Sequence, residues 1–122
     1  MPENRKQPAD LIVGVVGPCC AGKSTLVASL IQRGYTVRHI AQEHSFVPRM
    51  WQVIGKAELL VFLDVSFEVA QRRRWMDWKP ADLEEQQRRL RHAREHCDLY
   101  LQTDALSTEQ VLERVLSVLE PG

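Results

Sequence analysis

The chain has 122 residues, 44% hydrophobic and 26% charged, and its 16 basic and 16 acidic side chains balance to zero net charge. That composition belongs to an ordinary one-domain globular protein, not to a disordered chain. The neutral balance argues against nucleic acid or an anionic membrane as partner for the molecule as a whole, and no apolar run reaches the roughly 18 residues of a membrane span.

Residues 1–9 are polar and carry two prolines, and they read as a mobile tail ahead of a single domain over 10–122 rather than as a signal peptide. Leu11 to Val16 is uniformly apolar, the pattern of a parallel strand buried on both faces. Lys23 to Arg33 follows as a helix with Leu26, Val27, Leu30 and Ile31 on one face, and Gly34 ends it. Thr36 to Ala41 is a weaker strand expected at a sheet edge, and Ser45 to Ile54 reads as a short helix with Pro48 in its first turn. Leu59 to Asp64 is a second buried strand, and Ser66 is placed to cap the helix that carries Arg72, Arg73 and Arg74. Residues 72–82 form a lid-like segment, and Pro80 opens a longer charged helix expected to run to Cys97. Leu99 to Leu101 is a short last strand. Ser107 and Gln110 then form a capping box, with Leu106 and Val111 at staple positions, for a final helix stopped by Pro121-Gly122. Strands alternating with helices predict an α/β fold of three layers around a small, mainly parallel sheet of about four strands. Ligands in such folds bind outside the carboxyl ends of the strands.

The first strand leads into Gly17-Pro18-Cys19-Cys20-Ala21-Gly22-Lys23-Ser24, which fills every fixed position of the G-x-x-x-x-G-K-[ST] spacing (Walker A) between a strand and a helix. In that context the backbone N–H groups of the loop wrap a di- or triphosphate. Lys23 meets the terminal phosphates, Ser24 ligates Mg²⁺, and Thr25 follows in the same turn. A nucleoside triphosphate with Mg²⁺ is therefore the expected ligand.

Three segments together carry a resemblance: this loop, the run from Val61 to Arg74, and the ending from Asp98 to Ser107. They resemble the nucleoside and nucleotide kinase-like branch of P-loop proteins, which includes adenylate, shikimate and gluconate kinases. The resemblance implies a P-loop NTPase fold and a phosphotransferase that moves the γ-phosphate of ATP to a small-molecule acceptor. It also implies that late arginines of the helix after the "LDV" strand approach the phosphates, and that the T-D-x-L-S turn lies near adenine. The chain departs from the pattern in being trimmed. Only a short stretch separates Glu43 from the strand at Leu59, so the usual acceptor-binding insertion and one strand are missing. A nucleotide-binding or slow-hydrolysis module acting through a partner protein is the alternative reading. No N-K-x-D guanine signature occurs.

Several residues are candidates beside the loop. Glu43 follows the second strand and can supply the metal with a carboxylate or act as base, while His44 can orient an acceptor or water. An ordinary polar turn capped by Ser45 is the alternative. Asp64 ends the second buried strand and either serves Ser24, Lys23 or a metal-bound water, or caps the next helix; of the two acids Glu43 is preferred for the metal. Arg72, Arg73 and Arg74 cannot all face one way. Either one or two of them close over the phosphates, or the triplet is a solvated basic face. Arg88, Arg89, Arg91 and Arg94 alternate with Glu84, Glu85 and Glu95, and helical ion pairing accounts for them. Trp51, Trp75 and Trp78 read as packing residues rather than base-stacking platforms, although Trp75-Met76-Asp77-Trp78 lies in the lid segment. Cys19 and Cys20 read as small loop residues. With Cys97 they suggest no disulfide framework, so a reducing cytoplasm is the expected location. A sheet this small is also expected to extend or cover itself by forming a homodimer.

Overall fold

The computed structural model describes residues 11–75 and 77–120. The expected tail over 1–9, Met76 of the lid segment and the terminal Pro121-Gly122 lie outside the described residues. Four strands, β1 (Ile12–Val16), β2 (Thr36–His39), β3 (Leu59–Asp64) and β4 (Leu99–Gln102), form one sheet in the order β2-β1-β3-β4, every pair parallel. Among the described residues five α-helices connect and cover them: α1 (Lys23–Gln32), α2 (Phe67–Arg73), α3 (Pro80–Arg89), α4 (Arg91–His96) and α5 (Thr108–Leu119).

The unbroken apolar strands are explained by a core on each face of the sheet. Successive side chains point to opposite faces. Val13 and Val15 of β1 and Val61 and Leu63 of β3 join Leu26, Leu30, Val111 and Val115 of α1 and α5. Val16, Leu60 and Phe62 point the other way, onto Trp51, Leu90 and Ala93. α1 closes with a Schellman arrangement, in which Gly34 N–H donates to Ile31 O at 3.0 Å and Tyr35 N–H to Leu30 O at 3.1 Å. The capping box of α5 is formed from both sides. Gln110 N–H donates to Ser107 Oγ at 3.1 Å, and Ser107 N–H to Gln110 Oε1 at 2.9 Å.

Two expected elements differ. No α-helix covers 45–54; a 3₁₀ turn spans Gln42–His44 and a π-helical turn spans Trp51–Gly55. The fully buried Gln42 side chain causes this, because its Nε2 donates to Val47 O at 2.9 Å and its Oε1 accepts Trp51 N–H at 2.8 Å. Pro48 meanwhile disfavours the helical region for Val47. Met50 and Trp51 reach the core, but Phe46, Val47 and Ile54 are left exposed. The expected helix from Pro80 to Cys97 breaks at Leu90, where the backbone opens to φ −94°, ψ −2°. The break lets Leu90 and Ala93 pack beneath β3 while Gln86 and Arg89 of α3 reach back to the β1–α1 loop and to Glu43. The second strand also stops two residues early, at His39, and lies at the sheet edge as expected.

Because β1 pairs with β2 on one side and β3 on the other, the chain leaves β1 in opposite directions. The crevice at its carboxyl end is the switch point at which such sheets hold ligands. Among the described residues, no helix is long and apolar enough to cross a membrane.

Candidate functional site

The loop from Gly17 to Ser24 occupies that crevice. Gly17 passes so close to β3 that a Cβ there would lie 2.0 Å from Leu63 O, which excludes any side chain. Gly22, at φ +100°, turns the chain into α1 without a side-chain cap, and no acidic residue stands in the first turn. The first N–H groups of α1 thus face the cleft with the helix's positive end behind them, an arrangement that favours an anion. Cys20 also takes a left-handed conformation, at φ +68°. Burial raises the pKa of its thiol, as does neighbouring Cys19, against the opposing pull of Arg74 and Arg73.

Lys23 is folded into the loop. Its ammonium donates to Gly17 O and, at 3.4 Å, to Pro18 O, and it pairs with Glu43 Oε2 at 2.6 Å. Both side chains are buried, at 7% and 6% exposure. Glu43 Oε1 is buried with no hydrogen-bond partner. An unsatisfied carboxylate oxygen beside a lysine is costly unless something else fills the position. His44 stands at the rim, its Nε2 3.7 Å from Glu43 Oε2 and its side chain 60% exposed. His39, at the end of β2, has its pKa lowered by burial and then by the nearby Lys23 cation.

A cleft of about 510 Å³ opens on the other flank of the loop, bounded by Ser24 and Thr25 of α1, Arg73 at the end of α2 and Arg74 just after it, and Thr103, Leu106 and Val111 around the β4–α5 turn. Arg73 ties two of these walls together. It donates to Cys20 O at 3.0 Å, to Thr103 Oγ1 at 3.0 Å and to Thr103 O at 2.6 Å. Arg74 joins it at the cleft, whereas exposed Arg72 is not among the lining residues. Ala21 is buried in the first core, and exposed Ser24 and Thr25 face the opening.

Asp64 is engaged at both oxygens. Oδ1 accepts Val65 N–H at 2.9 Å and Oδ2 accepts Tyr100 O–H at 2.6 Å, so neither partner is Ser24 or Lys23. The cap of α2 is Ser66, whose Oγ accepts Val69 N–H. Arg88 and Arg89 both pair with Glu85, as their spacing suggested. Trp51 is buried with Nε1 donating to His92 Nδ1 at 3.1 Å, and Trp78 packs into the first core against Phe67, while Trp75 is exposed.

Two working residues escaped sequence reasoning. Gln86, buried on α3, accepts Cys19 N–H at 3.0 Å and donates to Cys19 Sγ at 3.2 Å. It looked like one more polar residue on a charged helix. Thr103 Oγ1 lies 2.8 Å from Asp64 O and 3.3 Å from Ala21 O, clamping β3, β4 and the loop. The T-D-x-L-S turn was its available signal. Compared with protein-family models, the chain matches none, and no curated protein matches it.

Proposed function

We propose that the chain binds Mg·ATP on the Gly17–Ser24 loop and is a trimmed P-loop protein of the nucleoside and nucleotide kinase-like type, transferring the γ-phosphate to a small-molecule acceptor. The observation that carries this reading is the buried Lys23–Glu43 pair, with Glu43 Oε1 unpartnered beside an uncapped helix start. A buried carboxylate oxygen with no partner fits a divalent cation or its bound water. The donor set of Ser24 hydroxyl and Glu43 carboxylate has the hard oxygen chemistry that Mg²⁺ prefers. Asp64, held by Val65 and Tyr100, fits that role less well.

Mg²⁺ bound there supplies charge neutralisation on the phosphates. Lys23 releases Glu43 and the Gly17 carbonyl and turns its ammonium toward the terminal phosphates. The N–H groups of α1 hold the phosphate oxygens. Arg73 keeps the cleft in shape through Cys20 and Thr103, and Arg74 adds positive charge at its mouth. Glu43 takes the proton from the acceptor hydroxyl or positions the cation, and His44 faces the acceptor.

The test is nucleotide turnover. Lys23→Ala abolishes ADP formation, and Glu43→Gln removes turnover while leaving ATP binding in place. Normal turnover by Glu43→Gln refutes its assignment. A second reading, a slow-hydrolysis module acting through a protein, is favoured by apolar side chains exposed in the segment that follows Glu43 in the chain, Phe46 at 81% and Ile54 at 68%. ADP release measured with and without a pool of nucleosides, sugars and metabolites separates the two. Acceptor-dependent release supports the kinase, and release indifferent to every acceptor supports the module.

A further inference from the structure

Cys19 of the β1–α1 loop meets Glu43 and His44 of the turn after β2. Cys19 Sγ lies 4.0 Å from His44 Nε2, which lies 3.7 Å from Glu43 Oε2, and the three ligand atoms all fall within 4.8 Å of one another. We infer that these three side chains form a zinc site at the edge of the phosphate loop, distinct in chemistry from the oxygen site that Mg²⁺ uses.

The geometry is close to what the ion requires. With Zn–S near 2.3 Å and Zn–N near 2.0–2.1 Å, a tetrahedral ion sets its sulfur and nitrogen ligands roughly 3.6 Å apart and nitrogen and oxygen roughly 3.3 Å apart. These two pairs close by only about 0.4 Å, a small side-chain rotation for an exposed histidine, while the sulfur and the carboxylate oxygen, within 4.8 Å, draw together by up to about 1.2 Å. One thiolate, one imidazole and one carboxylate form a borderline-soft set that suits Zn²⁺ and is foreign to Mg²⁺, which demands six oxygen ligands. Three protein ligands leave the fourth position open to water, and the exposed His44 ring gives the ion its entry path.

Two independent features support the assignment. Glu43 Oε2, the oxygen 3.7 Å from His44, is held by Lys23 at 2.6 Å, whereas the buried Oε1 has no hydrogen-bond partner, so an ion that takes this carboxylate either displaces the Lys23 ammonium from Oε2 or is met by Oε1. Gln86, 8% exposed, is built around Cys19, its oxygen on the backbone N–H and its amide nitrogen on the sulfur. A donor to sulfur stabilises the thiolate form and fixes its direction, as outer partners of metal ligands do. Loading displaces the thiol proton to solvent and changes no oxidation state. Because Glu43 is shared, zinc and Mg·ATP compete. That consequence, unlike the site itself, rests on the function proposed above.

The site is tested on the reduced, nucleotide-free full chain without magnesium. Zn²⁺ is titrated against a chromophoric chelator, and Co²⁺ serves as the spectroscopic probe of the same site. The expected result is one ion per chain and a near-ultraviolet thiolate-to-cobalt charge-transfer band. Cys19→Ser abolishes the band, and Cys19→Ser and His44→Ala each weaken zinc binding at least roughly tenfold. Cys97→Ser, remote from the cluster, keeps both band and affinity. Thermal unfolding confirms that each variant is folded before it is read. A cobalt complex without the band, or zinc binding by Cys19→Ser as tight as that of the parent chain, overturns the proposal. ATP affinity unchanged by zinc overturns the competition alone, so the site and the nucleotide reading fail separately.

Discussion

The Lys23–Glu43 pair can be tested by a double-mutant cycle of Lys23→Met, Glu43→Gln and the two together, followed by thermal and urea unfolding without nucleotide or divalent cation. At 2.6 Å and an effective dielectric near 20, the gross attraction is about 6 kcal/mol, most of which is offset by stripping water from two ions. The intact pair is therefore worth little net, while breaking it is expensive, about 3–5 kcal/mol, because one charge stays buried alone. Glu43→Gln belongs at the low end, about 3 kcal/mol, since Lys23 keeps the carbonyls of Gly17 and Pro18. Lys23→Met belongs nearer the upper end, because the Glu43 carboxylate then loses its ammonium partner and keeps beside it His44, at 3.7 Å, and the more distant His39. For a domain of this size each kcal/mol moves Tm by about 4 °C, so the single variants lose about 12 °C or more. The double variant removes both charges and should unfold at a higher temperature than either single one, with a coupling of at least about 2 kcal/mol. If the double variant instead loses the sum of the two single losses, the pair is not the buried, mutually compensating unit described above.

Gly17→Ala and Gly22→Ala separate close approach from backbone conformation. The first drives a Cβ to within 2.0 Å of Leu63 O and should cost at least about 3 kcal/mol, whereas the second has nothing within 4 Å and should cost about 1–2 kcal/mol for its positive φ alone. Equal losses in urea unfolding would contradict this. Arg73→Ala breaks three hydrogen bonds between the loop and the β4–α5 turn and should weaken ATP binding about tenfold, while Arg72→Ala should change it less than about twofold. Nucleotide titration of the two variants decides, and matching effects would sink the distinction. Both tyrosines of the chain titrate late, pushed to about 12 by burial and by their hydrogen bonds to carboxylates, Tyr35 to Glu120 and Tyr100 to Asp64. Their folded pKa values lie above the unfolded value near 10, so this stabilisation is whole below about pH 10 and is lost as pH rises toward 12. Phenolate absorbance at about pH 11 should be small for the folded protein and large in denaturant. Similar titration curves in the two states would refute the carboxylate-bonded geometry of the two phenols.

Elements encoded by neighbouring residues were legible in the sequence. The five apolar residues from Leu59 to Leu63, and the run from Leu11 to Val16, make sense only with cover on both faces, and both cores are present. Ser107 and Gln110 carried their cap within three residues. The segment over 45–54 misled because its apolar spacing suits a helix. The competing partner was the side chain of Gln42, whose hydrogen bonds with Val47 and Trp51 take the place of helical backbone bonding. Likewise nothing local marks Leu90 as a break. The bend arises because α3 and α4 pack on different parts of the molecule.

The sequence by itself determined the loop. The spacing of Gly17, Gly22, Lys23 and Ser24, between a strand and a helix, specifies a tight backbone turn ending in an uncapped helix start, and this needs only contiguous residues. Which side chains surround the loop was decided by the tertiary structure. Glu43 reaches Lys23 across 20 residues, Arg73 reaches Thr103 across 30, and Gln86 reaches Cys19 across 67. The strand order β2-β1-β3-β4 brings those positions to one edge, and sheet order is set by how the two apolar faces are covered. The choice between Glu43 and Asp64 shows the difference. Both acids follow strands at the same edge, but Tyr100 and the Val65 N–H occupy Asp64, whereas Glu43 is buried against Lys23 with an oxygen to spare.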